Sequence, residues 1–195
     1  MSSTPWSQGT WTHEPAEVRR EGEDLLVTAV EGSDAWRTTS YGFIHASEHG
    51  LLAPFEYGTA VEVEYTAAFS EQFDQAGLFI HRSPSRWVKA ATEYSDGVLS
   101  AGAVVTHGCS DWSLAQVPQW LGQRVRIRAS WTDDAVTIRG GVVGEPLRLL
   151  RVFPFERADD VAAGPLVCAP TRAGLTVRFH SWRVTEADTS LHPDS

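Results

Sequence analysis

Residues 74–113 carry Asp74, Trp87, Lys89, Glu93, His107, Ser110, Asp111 and Trp112, a set of groups able to hold and orient a polar ligand. Carboxylates and an ammonium hydrogen-bond hydroxyls, and an indole stacks on an apolar C–H face, so together they have the chemistry of a sugar site. Asp74, Glu93 and Asp111 would also serve as the acid and nucleophile of a glycoside-acting enzyme if two of them faced each other across a cleft. Asp34, Trp36 and Tyr41 add similar chemistry from an earlier run. A further pair, Glu62 and Glu64, stands two residues apart on one strand face, roughly 7 Å along the backbone, which side chains can close toward the ~5–5.5 Å of a retaining mechanism. Alternating carboxylates are more simply a solvated outer face above Val61, Val63 and Tyr65.

Other signals fail on context. His45-Ala-Ser-Glu-His49 fits the inverted zinc-protease pattern, which requires a helix to place both imidazoles on one face. Gly42, Gly50 and Pro54 leave too little room for one, and the stretch reads as the loop of a hairpin. A lectin-type calcium loop would need clustered aspartates, approached only at Asp133-Asp134 and Asp159-Asp160, so neither metal nor cofactor is expected. Cys109 and Cys168 have no paired spacing, which argues against a disulfide scaffold and for a reducing, cytoplasmic setting; Cys109 itself reads as a small buried residue.

The elements that must position these groups are strands. Strand-like runs recur at 24–30, 60–69, 76–81, 87–94, 98–106, 124–131, 135–139, 147–152, 165–169 and 175–184, separated by turn-rich stretches such as Ser83-Pro84-Ser85 and Ser95-Asp96-Gly97. In 87–94 the two-residue period sends Val88, Ala90, Thr92 and Tyr94 to one side and Trp87, Lys89, Ala91 and Glu93 to the other. One side is a core face and the other a binding face. Lys89 and Glu93 are too far apart along a strand to touch, so each is expected to meet a neighbouring strand, with Asp74 and Asp111 as candidate partners. In 124–131, Arg124, Arg126 and Arg128 alternate with Val125, Ile127 and Ala129, which predicts a strand on the wet outside or near an edge. The pattern is all-β, with one domain over 1–186 and a disordered tail over 187–195.

A net charge of −9, with fifteen Arg scattered along the chain and a single Lys, argues against nucleic acid or an anionic membrane surface as partner. The first residues lack a basic region followed by an apolar one, and eighteen consecutive apolar residues occur nowhere. Eight Trp and sixteen Gly suit a turn-rich sheet protein.

Four segments in order, Asp34-Ala-Trp36, Asp74-Gln75-Ala76-Gly77, Trp87-Val-Lys89-Ala-Ala-Thr-Glu93 and Ser110-Asp111-Trp112-Ser113, resemble domain-of-unknown-function family 1349, over residues 25–184. The resemblance implies a concanavalin A-like, two-sheet antiparallel jelly-roll sandwich with a concave face lined by these patches. Ala91 and His107 depart from the family pattern, and His107 would add an imidazole near the cleft. The family includes a yeast protein associated with regulation of enolase, so the resemblance also implies a regulatory role toward carbohydrate metabolism and a protein partner such as a glycolytic enzyme. Three functions are thus expected in order: a non-catalytic lectin-like module for a carbohydrate or small polar metabolite, a glycoside-acting enzyme, and a protein-interaction module.

Overall fold

A computed structural model describes residues 4–192. Its regular structure is strand, with two short 3-10 turns and no α-helix among the described residues. In chain order the first strands are β1 (Thr10–Trp11), β2 (Glu17–Glu21), β3 (Asp24–Thr28), β4 (Ala35–Arg37), β5 (Ile44–Ala46), β6 (His49–Pro54) and β7 (Thr59–Thr66). The long central strands follow: β8 (Gln75–Ser83), β9 (Arg86–Ser95), β10 (Val98–His107) and β11 (Cys109–Gln116). The chain then runs through β12 (Arg124–Thr132), β13 (Ala135–Val142), β14 (Arg148–Pro154), β15 (Ala162–Cys168) and β16 (Thr176–Glu186). A front sheet has the order β1-β6-β15-β8-β9-β10-β11 and a back sheet the order β14-β13-β12-β7-β16-β3-β2, while β4 and β5 form a separate two-stranded ribbon. All ladder pairings are antiparallel, and the architecture is the jelly-roll sandwich expected.

The core fills the space between the sheets. Leu78 and Ile80 of β8, Val88 and Ala90 of β9 and Ala101, Ala103 and Val105 of β10 pack against Val61, Val63 and Tyr65 of β7 and Ile127, Ala129 and Trp131 of β12. The Tyr65 hydroxyl crosses to Thr92 Oγ1 at 2.8 Å, tying the sheets together where a bare phenol would be costly.

The back sheet's outer face differs from the solvated surface expected over Glu62 and Glu64. Arg124 and Arg126 both hold Glu64, Arg128 holds Glu62 at 2.9 Å, and Arg183 reaches both carboxylates at 2.6 and 3.1 Å. The guanidinium planes cover the two glutamates, which are buried. Burial alone would raise the Glu64 carboxyl, but Arg126 and Arg124 outweigh it and hold the group below its ordinary range, unlike a proton-donating acid. Strand β12 is third from the sheet edge, between β13 and β7, so Arg124, Arg126 and Arg128 face outward as the alternation predicts without the strand lying at an edge. Of the segment 187–195 expected to be disordered, Asp188 is held by Arg128 at 2.7 Å, by Arg139 and by Ser130; residues 193–195 lie outside the described residues.

The front sheet's outer face positions the candidate site, and its register arranges four rows across β8, β9, β10 and β11. These are Gln75, Glu93, Ser100, Gln116; then Gly77, Ala91, Gly102, Leu114; then Phe79, Lys89, Val104, Trp112; and last His81, Trp87, Thr106, Ser110. The second row is nearly without side chains. At Gly77 a Cβ would collide with the Ala90 carbonyl oxygen, and at Gly102 with that of Ser113, so the close approach of neighbouring backbones enforces glycine there. A polar row and an aromatic row therefore flank a depression.

Candidate functional site

The ribbon of β4 and β5 lies over this outer face. Its Arg37 N–H donates to Ser110 Oγ at 2.9 Å, Arg37 Nε to the Gly108 carbonyl at 2.7 Å, and Thr38 Oγ1 to Cys109 Sγ at 3.3 Å. An apolar cluster of Ala35, Trp36, Phe79, Trp87, Val104, Leu166 and Cys168 fills the space between ribbon and sheet. Thr38, Ser40 and Gly42 at the ribbon tip all take left-handed backbone, at φ 59°, 61° and 74°. For threonine and serine that conformation is costly, and crossed backbone hydrogen bonds from Thr38 to Phe43 and from Gly42 to Thr38 sustain it.

Between the ribbon and the sheet a cleft of about 200 Å³ opens, lined by Asp34, Trp36, Tyr41, Phe43, Phe73, Gln75, Lys89, Glu93, Val104 and Trp112. A shallow extension runs over Ala91, Gly102 and Leu114, the small row described above. The mouth is aromatic. Trp36 meets Tyr41 edge-on at 5.6 Å and Trp112 edge-on at 6.1 Å, and Tyr41 stacks on Phe43 at 5.3 Å. Tyr41, Phe43 and Trp112 are 58%, 44% and 39% exposed, a large apolar display for side chains that have a core beside them.

The floor is polar and buried. Lys89, only 3% exposed, donates from Nζ to Asp34 Oδ1 at 2.7 Å. Burial alone would lower the Lys89 ammonium, but the neighbouring anions, Asp34 foremost, hold it above its ordinary value. Asp34 Oδ1 also accepts from the Ala35 N–H at 2.8 Å, which fixes the carboxylate at the start of β4. Burial pushes the Glu93 carboxyl up to about 7 against the pull of Lys89, and Asp34 adds to the rise. Gln75 donates from Nε2 to the Phe73 carbonyl at 3.1 Å, leaving its Oε1 turned the other way. Gln75 Oε1 and Glu93 Oε1 are both buried and without a hydrogen-bond partner.

Of the residues singled out in the sequence, Asp34, Trp36, Tyr41, Lys89, Glu93 and Trp112 thus line one cleft. The others are placed elsewhere. Asp74 has the opposite parity to Gln75 and turns away from the cleft into a double hydrogen bond with Arg172, at 2.9 and 2.7 Å, with the Ser70 and Glu71 amides completing its shell. Burial alone would raise its carboxyl, but Arg172 and the amides hold it below the ordinary range. Asp111 faces β14 and pairs with Arg151 at 2.7 Å. His107 lies on that same side, beside Val105, Cys109 and Arg151, and so adds no imidazole to the cleft. Trp87 is on the correct face but is buried against Phe79, and Ser110 is buried as the anchor for Arg37 and Thr106. Lys89 meets the ribbon through Asp34, in place of the expected Asp74 or Asp111. Cys109 is exposed, and Cys168 is the buried thiol. His49 is buried, accepting the Val30 N–H at Nε2, while His45 sits on the ribbon. Among the described residues no group of three or more His, Cys, Asp or Glu could hold a metal ion. Nor is any helix there long and apolar enough to cross a membrane.

The lining residues that sequence reasoning missed are Gln75, Phe43, Phe73 and Val104. Gln75 was accessible from parity, since it shares a face with Gly77 and Phe79 in the same four-residue patch as Asp74.

The cleft therefore sits on a concanavalin A-like sandwich. A legume lectin-like domain from Entamoeba histolytica superposes with a TM-score of 0.64 at 7% identity, covering 94% of this chain and 92% of that one. A xylan β-1,4-xylosidase from Bacillus halodurans C-125 superposes with a TM-score of 0.65 at 12% identity, over 84% of this chain and 33% of that one. At these identities the likeness is one of fold alone. Residues 11–187 match the family described as "Protein of unknown function (DUF1349)", and the chain belongs to that family. The Saccharomyces cerevisiae protein named regulation of enolase protein 1 is 32% identical over 186 residues, 94% of this chain and 92% of that protein. The crystal structure of a functionally unknown protein from the same yeast superposes with a TM-score of 0.86 at 32% identity, covering 94% of this chain and 98% of that one.

Two outcomes follow from the floor's electrostatics. Asp34→Ala leaves a buried ammonium without its partner and should cost about 3 kcal/mol in denaturant unfolding, most of it regained in the double variant Asp34→Leu with Lys89→Met. A loss in the double variant equal to the single one would show that the pair contributes more than mutual neutralisation. The raised Glu93 carboxyl makes the native state hold a proton that the unfolded chain releases near pH 4.5, so its stabilising contribution is complete below that pH and is lost as pH rises through about 7. Glu93→Gln should therefore melt higher relative to the parent at pH 8 than at pH 5, by a few degrees, since 1 kcal/mol moves Tm by roughly 2–4 °C in a domain of this size. A difference independent of pH would contradict the buried, raised carboxyl.

Proposed function

We propose that the protein is a non-catalytic, lectin-like binding module that holds a carbohydrate or another small polar metabolite in the cleft between ribbon and front sheet. The observation that carries this reading is the combination of an exposed aromatic mouth with a buried polar floor containing two unpartnered acceptors, Gln75 Oε1 and Glu93 Oε1. Buried acceptors without partners are expensive unless something donates to them. Trp36, Tyr41 and Trp112 would stack on the ligand, and Asp34, Lys89, Glu93 and Gln75 would orient it. The cleft, at about 200 Å³, is smaller than the ~300–1,000 Å³ of drug-sized ligands and suits a single small ring.

The carboxylate-pair reading draws less support. Asp74 and Asp111 are engaged by Arg172 and Arg151 outside the cleft, and Glu62 and Glu64 lie beneath arginines on the other sheet. A regulatory role toward carbohydrate metabolism rests on the name of the yeast relative. A cytoplasmic setting rests on two free cysteines in a family that includes that relative.

The test is a thermal-shift panel of sugars and sugar derivatives on the parent and on Trp112→Ala, whose half-exposed side chain leaves the core intact. A ligand at about 100 times its Kd adds roughly 2.7 kcal/mol, a rise of about 5–10 °C for this size. We expect such a rise in the parent and its loss in Trp112→Ala. A flat panel, or a rise that Trp112→Ala leaves unchanged, would contradict the reading; a flat panel would turn attention to the apolar ribbon tip of Tyr41, Phe43 and Ile44 as a protein contact.

A further inference from the structure

The floor of the cleft also restricts the ligand's charge. Among the described residues Lys89 is the one cation lining it, and its charge is answered at 2.7 Å by Asp34. No arginine lines the cleft: Arg37 is spent on the Gly108 carbonyl and Arg172 on Asp74. A phosphate or carboxylate entering here would meet an ammonium already neutralised, beside the Asp34 and Glu93 carboxyls, in a buried site where an unmatched charge is most costly. A cationic ligand fares no better: Asp34 is already paired with Lys89 at 2.7 Å, and Glu93, its carboxyl raised to about 7, is not a full counter-charge at neutral pH.

What the floor offers is two oxygens that no protein group hydrogen-bonds, Gln75 Oε1 and Glu93 Oε1. The bond from Gln75 Nε2 to the Phe73 carbonyl fixes which end of the amide is oxygen, so Gln75 Oε1 is an acceptor in earnest. Gln75 and Glu93 are direct cross-strand partners in the ladder of β8 and β9, on the same face. Their Cβ atoms are thus ~4.5–5.5 Å apart, close enough for one small ligand to meet both side chains. Neighbouring hydroxyl groups on one ring can reach both, while the apolar face of the ring is offered to the exposed indole of Trp112.

We propose that the cleft selects an uncharged polyhydroxylated ligand, whose neighbouring hydroxyls donate to Gln75 Oε1 and Glu93 Oε1, and rejects phosphorylated, carboxylated and amino derivatives of the same skeleton. This rests on the binding-module reading above and narrows its ligand class.

Isothermal titration at pH 7 with matched sets tests it: glucose, glucose 6-phosphate, glucuronate and glucosamine, with the corresponding galactose and mannose sets and xylose with its phosphate. The neutral member of one set should bind at least about ten-fold more tightly than its charged counterparts. Gln75→Leu and Glu93→Leu should each weaken the neutral sugar at least about five-fold while Tm of the ligand-free protein shows that they fold. Tighter binding of a phosphate, acid or amine in a Trp112-dependent manner would overturn this inference and leave the binding module standing. Equal binding of the neutral sugar by parent, Gln75→Leu and Glu93→Leu would overturn the assigned contacts. No binding by any member, charged or neutral, would overturn the binding-module reading itself. The charge comparison needs no variant, so a misfolded substitution does not spoil it.

Discussion

An ammonium withdrawn from water must have its charge answered within hydrogen-bonding distance, and in this sandwich the answer comes from outside the sheet that carries it. Lys89 stands in the middle of β9 with no acid opposite it on β8 or β10, where its cross-strand neighbours are Phe79 and Val104. Its partner Asp34 is 55 residues earlier, at the start of the ribbon. The pair therefore does two things at once. It makes burial of the lysine tolerable, and it fixes where the ribbon begins, and with it Trp36 and the strained turn that displays Tyr41 and Phe43. Removing the ribbon would expose both the charge and the apolar cluster of Trp36, Phe79, Trp87 and Leu166.

The two outer faces of the sandwich show what distinguishes a site from a charged surface. The back face has the richer charge inventory, yet Arg124, Arg126, Arg128 and Arg183 saturate Glu62 and Glu64, and the lattice has a donor for each carboxylate oxygen. The front face has fewer charges, but the row of Gly77, Ala91 and Gly102 removes the side chains that would have filled the space between its polar and aromatic rows. Backbone packing enforces that gap, because the glycines are required by neighbouring carbonyls whatever the cleft holds. A shallow hollow, an incompletely satisfied floor and an aromatic cover then follow from three unrelated local demands.

Much of this was legible in the sequence where strands are long and alternate. Parity in β9 separated Val88 and Ala90 from Lys89 and Glu93, and the ten strand-like runs correspond to ten of the fourteen strands of the two sheets, β3, β7 to β10 and β12 to β16. Local pattern failed where it carries little information. Strand β2 is exposed throughout and charged but for Val18, β6 contains Gly50 and ends at Pro54, and β11 mixes polar and apolar residues, so its Ser-Asp-Trp-Ser patch falls outside every strand-like run. The same oversight placed Asp111 in the cleft: on a strand it must face away from Ser110 and Trp112. Asp74 was misplaced for a related reason, since the first residue of a strand motif was credited where its neighbour Gln75 has the right parity. The pairing of Lys89 with Asp34 had no local signal, because a contact between a ribbon and a distant strand leaves no periodicity.

The central claim is that the space framed by Lys89, Glu93 and the ribbon aromatics is where a ligand enters, and the eight tryptophans provide the reporters. The direct measurement is the set of indole N–H resonances in 15N-labelled protein during titration with methyl glycosides of glucose, galactose, mannose and xylose. Trp112 should move first and furthest, with Trp36 beside it, while the core indoles of Trp120, Trp131 and Trp182 stay in place. Movement centred on the core or N-terminal indoles, or none with any of the four glycosides, would contradict a site in this cleft.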